Sequence, residues 1–336
     1  MNYSDKEVVI AGIGAFYPEK KLTNADLMKI VDTNAEWIVS RTGICERRVV
    51  EPGQTSSDLG AEAAGRALRH SNLSPDQLTY IIMPTVTPDT YSPAGAAFVA
   101  KKMGATYTPA MDMNVGCSGM IYAMEIASSM VTADPQALIM LVCSEVLTSR
   151  TNWHDRSTCV LFGDGASAFL IGHKSNKLIK PLAMVEDVIL GADATMTDCL
   201  TIRGGASGRP YTLGEAVTDD FFIQMQGQEV YRQAVRKMEW VTEEILARNN
   251  MTVRDVDFFI PHQANMRIIE AVGKKLNFND EQVVVNVDRF GNTSSASTVI
   301  ALDEWFQAGR IKSGSRVLQV VFGAGFSWGA AMLKFV

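Results

Sequence analysis

The sequence is poor in cysteine, and its five cysteines stand at positions 45, 117, 143, 159 and 199. No pair of them has C-x-x-C spacing, which argues against a zinc site or a disulfide framework and favours a reducing compartment. Long apolar runs are also missing, because none approaches the ~20 residues that a membrane span needs. The start of the chain, Met1–Glu7, is polar and has no signal-peptide core. We therefore expect a cytoplasmic protein that uses neither a metal nor a membrane.

Basic charge is scarce as well, since 37 Asp and Glu residues outnumber 31 Lys and Arg residues and give a net charge of −6. Such a chain has no general affinity for nucleic acid or anionic lipid, so an anionic partner must meet a local basic patch. A full dinucleotide fingerprint is absent too. Gly12-Ile13-Gly14 follows the first predicted strand, but Tyr17 stands where the third glycine belongs. We therefore expect no dinucleotide cofactor.

The chain does have a repeated order of predicted elements. With 336 residues, of which 47% are hydrophobic, it can bury the core of one large or two ordinary domains. A strand, a helix and a strand in the first half correspond to a strand, a helix and a strand in the second. These are Tyr80–Met83, Pro93–Met103 and Pro109–Met113, then Val256–Ile260, Ala264–Leu276 and Val283–Val287.

This repetition predicts a duplicated α/β fold. Two βαβ-rich halves, residues 1–175 and 176–336, are expected to pack with pseudo-two-fold symmetry. Alternating strands and helices favour mostly parallel sheets covered by helices.

Cys117 falls where the predicted strand Pro109–Met113 gives way to a helical pattern. The positive end of a helix dipole and free backbone N–H groups both favour a thiolate, which is the nucleophilic form. Gly116 and Gly119 leave room for a substrate to approach the sulfur. An isolated cysteine is more often a small buried residue, so a nucleophilic role for Cys117 depends on its partners.

Two candidate partners lie in the second half. His262, one of four histidines, follows a buried predicted strand, and strand ends are the usual place for site residues in α/β folds. It can instead be a helix cap, and His154, in a polar loop, is an alternative base. Asn292 stands at a helix start equivalent to that of Cys117, although Gly291-Asn292 is also a turn sequence. Pseudo-two-fold symmetry can bring equivalent helix starts to face each other in one cleft.

Together these residues resemble the motifs of the β-ketoacyl-acyl-carrier-protein synthase III family, in the thiolase superfamily. The resemblance runs from about Val8 to Phe335. It implies a layered α/β/α/β/α thiolase-like fold, a homodimer and a catalytic set of Cys117, His262 and Asn292. The motifs are Glu36–Ile44, Cys117, Phe162–Gly165, Pro261–Asn265, Gly291–Ser294 and Gly323–Gly329.

The resemblance implies a two-step activity without a cofactor. An acyl group passes from acyl-CoA to Cys117, and malonyl-acyl-carrier protein then loses CO2 and condenses with it to give 3-oxoacyl-carrier protein. His262 and Asn292 would donate hydrogen bonds to the enolate, and the backbone N–H groups of Cys117 and Ala324 would hold the second oxyanion. Ala324 replaces the middle one of three glycines usual in the family, which leaves the φ angle and fit of that turn open.

Substrate contacts are implied in the same way. Trp37 and Arg156 would stack on the adenine of coenzyme A, Arg41 would meet its phosphates and Asn265 would touch the pantetheine arm. Without the resemblance these are an ordinary buried tryptophan and surface arginines. The acidic carrier protein needs a basic landing site. The candidates are Arg232, Arg267, Lys274 and Lys275, although the two lysines can equally be a solvated helix end.

The acyl end of the pocket departs from the familiar pattern. Ser92 precedes Pro93 where the family often has an aromatic ring, with Tyr91 one residue earlier, while Phe322 would make the pocket apolar. We expect a pocket wider than that of short-primer relatives unless Tyr91 fills it. Two other functions stay open: acyl transfer or a different condensation in secondary metabolism on the same fold, and a non-catalytic subunit that binds carrier protein. A cysteine hydrolase is disfavoured because no acidic residue at suitable spacing would orient His262.

Overall fold

A computed structural model describes residues 3–336; Met1 and Asn2, which begin the polar start, lie outside the described residues. This range forms thirteen strands and nine α-helices. The strands are β1 (Val8–Phe16), β2 (Lys21–Thr23), β3 (Glu46–Arg48), β4 (Tyr80–Pro84), β5 (Ala110–Met113), β6 (Ile139–Glu145), β7 (Gly165–His173), β8 (Ala183–Ala192), β9 (Leu200–Thr201), β10 (Gln224–Met225), β11 (Phe258–Pro261), β12 (Arg316–Gly323) and β13 (Ser327–Phe335). The α-helices are α1 (Asn24–Leu27), α2 (Ala35–Thr42), α3 (Ser56–Ser71), α4 (Gly95–Met103), α5 (Gly119–Ala133), α6 (Gly227–Arg248), α7 (Met266–Leu276), α8 (Val287–Phe290) and α9 (Ser297–Gln307).

Short 3-10 helices supplement these elements, and two of them precede the central helices α5 and α9. They occupy Tyr3–Lys6, Pro75–Gln77, Gly116–Ser118, Leu147–Arg150, Ala194–Cys199, Asp219–Phe221, Val253–Asp255 and Ser294–Ala296. None of the helices within residues 3–336 is long and apolar enough to cross a bilayer.

Nine strands form one sheet in the order β11-β12-β13-β8-β1-β7-β6-β4-β5. In the first half the order is β5-β4-β6-β7-β1. Counted along the chain, these are the third, second, fourth, fifth and first of the five strands that this half contributes to the sheet. The second half repeats this order as β11-β12-β13-β8, and an isolated parallel bridge from Val283 to Phe259 takes the place of the third strand. The halves join through two residue pairs of β1 and β8. The repeated order confirms the predicted α/β fold of two duplicated halves.

Helices cover both faces of each half and create the layers. Val8 and Ile10 of β1 join a central core with residues of α5 and α9, whereas Val9 joins an outer core with α3 and α4. This alternation follows from the period of two along a strand. Residues of α6 and α7, such as Val241 and Val272, form the outer core of the second half. The resulting order α/β/α/β/α is the predicted thiolase-like layering. The boundary between residues 175 and 176 stays a prediction, and it falls between β7 and β8.

The prediction of mostly parallel sheets is wrong. Of the eight neighbouring pairs in the large sheet, only β4–β5, β4–β6 and β11–β12 are parallel. In the second half, β12 and β13 are joined by the three-residue turn 324–326, and a turn this short can only join antiparallel neighbours. In each half the fifth strand is therefore antiparallel to the fourth, and the first strand is antiparallel to the fifth.

The predicted strand Val283–Val287 is also wrong, because only Val283 forms a bridge and Val287 begins α8. The buried side chain of Gln263 takes the place of a neighbouring strand. Its Nε2 donates to the Val284 carbonyl at 3.1 Å, and its Oε1 accepts from the backbone N–H groups of Asn286 and Val287 at 2.9 and 3.2 Å. Once this amide satisfies the backbone, no ladder is needed to bury the segment.

The glycine pair in β1 has a packing role. A Cβ atom on Gly12 would lie 2.3 Å from the Ala67 carbonyl oxygen, and one on Gly14 would lie 2.2 Å from that of Ala63. Both glycines therefore allow α3 to lie directly against the strand. This packing explains the glycines at positions 12 and 14 without a role in nucleotide binding.

Candidate active site

Cys117 lies at the junction that the sequence predicts. The strand β5 ends at Met113, and the 3-10 helix Gly116–Ser118 leads into α5. Gly116 adopts φ +52°, a left-handed conformation that suits glycine. A Cβ atom on Gly323 would lie 2.7 Å from the Cys117 backbone nitrogen, so the end of β12 lies directly against the backbone of Cys117.

Two cavities meet at Cys117. The entrance cavity has a volume of about 660 Å³, and its lining includes Trp37, Arg41, Cys117, His262, Asn265, Asn292 and Phe322. The inner cavity has a volume of about 290 Å³, and its lining includes Val86, Tyr91, Cys117, Leu147, Ile202, Ile223, Ser294 and Ala324. Cys117 therefore lies between a larger, mostly apolar cavity on one side and a smaller cavity of mixed polar and apolar lining on the other.

The protonation state of Cys117 differs from the sequence-based expectation. Burial raises the pKa of the Cys117 thiol to about 12, and this desolvation outweighs a hydrogen bond with the Ser294 side chain that lowers it. The nearby Glu145 carboxylate raises the pKa further. The helix start alone does not yield a resting thiolate, because desolvation penalises the charged form more than local donors stabilise it. The thiol needs a proton acceptor before it can attack.

His262 follows β11 and is only 5% exposed. Burial lowers its pKa to about 4, so the ring is neutral near pH 7. Its Nδ1 lies 2.7 Å from the hydroxyl of Ser297, at the start of α9. That hydroxyl also accepts the Gln263 backbone N–H at 3.3 Å, and we assign its own proton to the bond with Nδ1. Ser297 therefore donates to Nδ1, and the ring proton resides on Nε2, which makes no hydrogen bond within residues 3–336.

Asn292 is oriented in a comparable way. Its backbone pairs with Leu161 and Gly163, which fixes the residue beside the entrance cavity. Its side-chain Oδ1 accepts the Ser294 backbone N–H at 2.8 Å. This bond assigns the amide, so that Nδ2 is the group left for the cavity. The structure thus brings Cys117, His262 and Asn292 to the lining of one cavity, with two neutral donors in the same cavity as the cysteine.

The turn at Ala324 shows no left-handed strain. Five non-glycine residues in the described chain have positive φ, and Ala324 is not one of them. A Cβ atom on Gly116 would lie 3.1 Å from the Ala324 nitrogen and 3.3 Å from its methyl carbon, so the turn lies close to the backbone that carries Cys117. Ala324 lines the inner cavity together with Cys117.

The predicted coenzyme A residues gather at the mouth of the entrance cavity. The guanidinium of Arg156 lies over the Trp37 ring, 5.4 Å from its centroid, although Arg156 does not itself line the cavity. Arg41 is exposed at the rim. The Asn265 side chain caps α7 by accepting the Arg267 N–H at 2.9 Å, and its Nδ2 donates to the Arg41 carbonyl at 3.2 Å. Asn265 therefore ties the start of α7 to the end of α2.

The four predicted docking residues lie on α6 and α7. Arg232 forms an ion pair with Glu229, and Lys275 pairs with Glu239 at 2.6 Å. The guanidinium of Arg267 lies over the Tyr231 ring, 5.5 Å from its centroid, and it lines the entrance cavity. Lys274 is exposed and has no ion pair in the part of the chain described. Carboxylates thus compensate two of the four charges, which leaves Arg267 and Lys274 as the uncompensated pair.

The predicted acyl-pocket residues separate. Tyr91 lines the inner cavity although it is 84% exposed, while Phe322 lines the entrance cavity. Ser92 is exposed and lines neither cavity, so its predicted place at the acyl end is not found within this chain. The alternative base His154 is also exposed and lies outside both cavities.

Sequence reasoning missed three residues close to the site: Ser294, Ser297 and Glu145. Ser294 belongs to a motif quoted above, but nothing in its position indicated contact with Cys117. Glu145 ends the buried strand β6. The rule that pointed to His262, a polar residue at the carboxyl end of a buried strand, applies to Glu145 as well and could have found it.

Comparisons with known proteins identify the family of the chain. Family models described as 3-oxoacyl-[acyl-carrier-protein] synthase III and its C-terminal part match residues 111–187 and 246–335. Within residues 3–336, no group of three or more His, Cys, Asp or Glu side chains is arranged so that it could hold a metal ion.

Relatives match over nearly the whole chain. A β-ketoacyl-[acyl-carrier-protein] synthase III of Nitratidesulfovibrio vulgaris is 48% identical over 327 residues, covering 97% of this chain and 98% of that protein. The synthase III structure from Thermus thermophilus is 39% identical with a TM-score of 0.88, covering 98% and 99% of the two chains. That from Aquifex aeolicus is 38% identical with a TM-score of 0.87, covering 98% and 100%. The predicted resemblance is confirmed: the chain belongs to the β-ketoacyl-acyl-carrier-protein synthase III family, and it is a condensing enzyme of the acyltransferase class.

Proposed function

We propose that this enzyme transfers an acyl group from acyl-CoA to Cys117 and condenses it with malonyl-acyl-carrier protein. The products are 3-oxoacyl-carrier protein, CO2 and coenzyme A. The observation that carries the proposal is the pair of oriented neutral donors, His262 Nε2–H and Asn292 Nδ2–H, in the cavity that leads to Cys117. Simple acyl transfer forms no enolate that needs such a pair, whereas decarboxylation of a malonyl thioester does.

In the first step the Cys117 sulfur attacks the thioester carbonyl of acyl-CoA. The new C–S bond forms as the bond to coenzyme A breaks, and one proton is lost by the Cys117 thiol and one is gained by the departing coenzyme A, so the enzyme holds the acyl group as a thioester. The backbone N–H groups of Cys117 and Ala324 are the proposed oxyanion donors. The closeness of the Ala324 nitrogen to the Gly116 backbone supports this pairing. The acyl chain then extends into the inner cavity.

In the second step the malonyl thioester enters through the entrance cavity. Loss of CO2 leaves an enolate, whose oxygen accepts hydrogen bonds from His262 and Asn292. A neutral imidazole suits this role, since its pKa of about 4 keeps one proton on the ring throughout the neutral range. The enolate carbon attacks the acyl carbonyl, and the Cys117 thiolate leaves. Phe322 keeps this side of the cavity apolar.

The substrates and partners follow from the surroundings. Trp37 and Arg156 would hold the adenine ring and Arg41 the phosphates of coenzyme A, while Asn265 would meet the pantetheine arm. Arg267 and Lys274, with Arg232 and Lys275, would receive the acidic carrier protein. We further propose a cytoplasmic homodimer that uses no metal or cofactor. The exposed Tyr91 at the edge of the inner cavity supports a second copy of the chain covering that edge.

The experiment separates the two steps. Intact-mass measurement after incubation with acyl-CoA reports the adduct on Cys117, and release of labelled CO2 from malonyl-carrier protein reports decarboxylation. We expect Cys117→Ala to gain no adduct. His262→Ala and Asn292→Ala should lower CO2 release by ~10²–10³-fold and affect the adduct much less.

A matched control is His154→Ala, which removes an exposed histidine outside both cavities and should change neither measurement. A normal adduct on Cys117→Ala would refute the nucleophile. Wild-type enzyme that transfers the acyl group but releases no CO2 would point to the acyltransferase alternative. Absence of both activities would point to a carrier-protein-binding subunit.

A further inference from the structure

The inner cavity carries a positive charge that nothing in the described chain neutralises. Arg150 is the one charged residue among the described residues that line this cavity, and it is half-buried at the end of the 3-10 helix Leu147–Arg150. Its guanidinium makes no ion pair within residues 3–336. A partly desolvated cation without a counter-ion is costly, so its place in a cavity that receives an acyl chain calls for an explanation.

The contacts of the guanidinium fix it in place without satisfying it. Its central carbon lies over the Phe221 ring, 4.0 Å from the centroid, and Nη1 donates to the Phe221 carbonyl at 3.4 Å. A guanidinium has five N–H donors, and the remaining ones of Arg150 have no partner in the part of the chain that the structure describes. The side chain therefore keeps both its charge and several donors for a ligand.

The loop that leads to this ring contains carboxylates, but they have other partners. Asp220 and Glu215 both pair with Arg209, at 2.7 and 2.6 Å. Oδ1 of Asp219 accepts a side-chain amide N–H at 3.1 Å. These acids lie close in sequence to the ring on which Arg150 rests, and none of them pairs with it. The anion that would complement Arg150 is therefore not supplied by this loop.

A second polar group in the same lining also lacks a partner. Oγ1 of Thr201, at the end of β9, is buried and makes no hydrogen bond within residues 3–336. Much of the remaining lining is apolar, including Val86, Leu147 and Ile223. The cavity thus combines apolar walls with a hydroxyl and a guanidinium that have donors to spare. A chain of methylene groups that ends in an anion has the matching chemistry.

We propose that the acyl group carried on Cys117 ends in a carboxylate, which Arg150 binds inside the inner cavity. This inference rests on the proposed function and names its acyl substrate as the coenzyme A monothioester of a dicarboxylic acid. A planar guanidinium is suited to a carboxylate, because its N–H groups can donate to both oxygens in parallel. The terminal carboxylate takes no part in bond making. Thioester exchange at Cys117 is balanced as described above, and condensation gives a 3-oxoacyl chain that retains the carboxylate.

An acyl chain that ends in a methyl group would interact differently with the same cavity. It would take water from Arg150 and Thr201 and leave their donors unpaired, whereas a carboxylate accepts from both. Hydrogen bonds to charged groups are worth a factor of ~10 to ~10² in binding, and the carboxylate's own loss of water is set against this gain. The structure therefore predicts discrimination between two acyl chains of equal length by their ends.

The test compares coenzyme A thioesters in pairs of equal chain length: succinyl with butyryl, glutaryl with pentanoyl, and adipoyl with hexanoyl. Rapid-quench intact-mass measurements give kcat/KM for adduct formation on Cys117. For the wild type we expect the carboxylate-ended member of at least one pair to react ~10-fold to ~10²-fold faster than its methyl-ended partner. Arg150→Met keeps a long side chain without the charge. It should lose this preference and accept methyl-ended chains at least as well as the wild type, a gain that structural damage would not produce.

The matched control is Arg203→Met, because Arg203 pairs with Asp198 at 2.9 Å and lines neither cavity. It should keep the wild-type preference, and Arg150→Lys, with a charge but no planar fork, should keep only part of it. A wild-type enzyme that favours no carboxylate-ended chain, or an unchanged preference in Arg150→Met, would overturn the inference and leave the proposed function standing. A wild-type enzyme that gains an adduct from neither series would refute the proposed function, and this inference with it.

Discussion

Ser297 offers a sharp test of how His262 works, through Ser297→Ala. The mutation removes a hydroxyl that is 2% exposed and lies 2.7 Å from His262 Nδ1. Loss of one buried hydrogen bond costs ~0.5–1.5 kcal/mol, and it frees the ring to place its proton on either nitrogen. If this energy is lost from the transition state, decarboxylation slows by about twofold to twelvefold, since ~1.4 kcal/mol is a factor of ten. Acylation of Cys117 should be unchanged, because the hydroxyl does not touch the sulfur.

The assay is release of labelled CO2 from malonyl-carrier protein by enzyme already acylated on Cys117. Nitrogen NMR shifts of labelled histidine report the tautomer directly, and a mere packing defect would not move them. Ser297→Thr keeps the hydroxyl and should restore both measurements. Ser128→Ala, which removes a buried hydroxyl bonded within α5, is the matched control. An unchanged tautomer, or an equal loss in acylation and decarboxylation, would refute the reasoning.

Three further outcomes are expected. Gly323→Ala should slow both half-reactions and lower the free energy of unfolding by ~1–3 kcal/mol, because the new Cβ would lie 2.7 Å from the Cys117 nitrogen and overpack the site. Gly208→Ala, where a Cβ atom meets open space, should change neither thermal unfolding nor activity. The pKa of His262 in the folded protein, about 4, lies below that of an unfolded histidine. The contribution of the neutral His262 to folding stability is therefore present above pH ~6.5 and is lost as the pH falls towards about 4. Urea titrations over this pH range should show the loss in the wild type, and His262→Gln should lack it. Trp37→Ala should raise the KM for acyl-CoA by about tenfold, within the ~1–3 kcal/mol that a base stacked on an aromatic side chain contributes, and leave acyl-pantetheine unaffected.

Much of the fold could be predicted because duplication repeats a local pattern. Hydrophobic periodicity predicts the order of strands and helices, and this order recurs in both halves. The recurrence predicts the paired layers and the equivalent positions of Cys117 and Asn292 in the two halves. Strand direction could not be predicted in this way. Whether β13 returns beside β12 depends on a short turn and on neighbours far along the chain. Likewise, the segment Val283–Val287 has the composition of a strand, and only the buried Gln263 amide makes a ladder unnecessary.

Local motifs with definite spacing were enough to predict the nucleophile candidate, its two candidate partners and the family. The protonation and orientation of those groups depend on the packing of the folded chain. The Cys117 thiol is neutral because the packed fold removes water from it, and His262 is neutral for the same reason. Ser297 and Glu145 act across 35 and 28 residues of sequence, and their effects depend on distances and burial that no local pattern encodes. The pKa and the tautomer of a side chain depend on the groups around it, and folding brings those groups together.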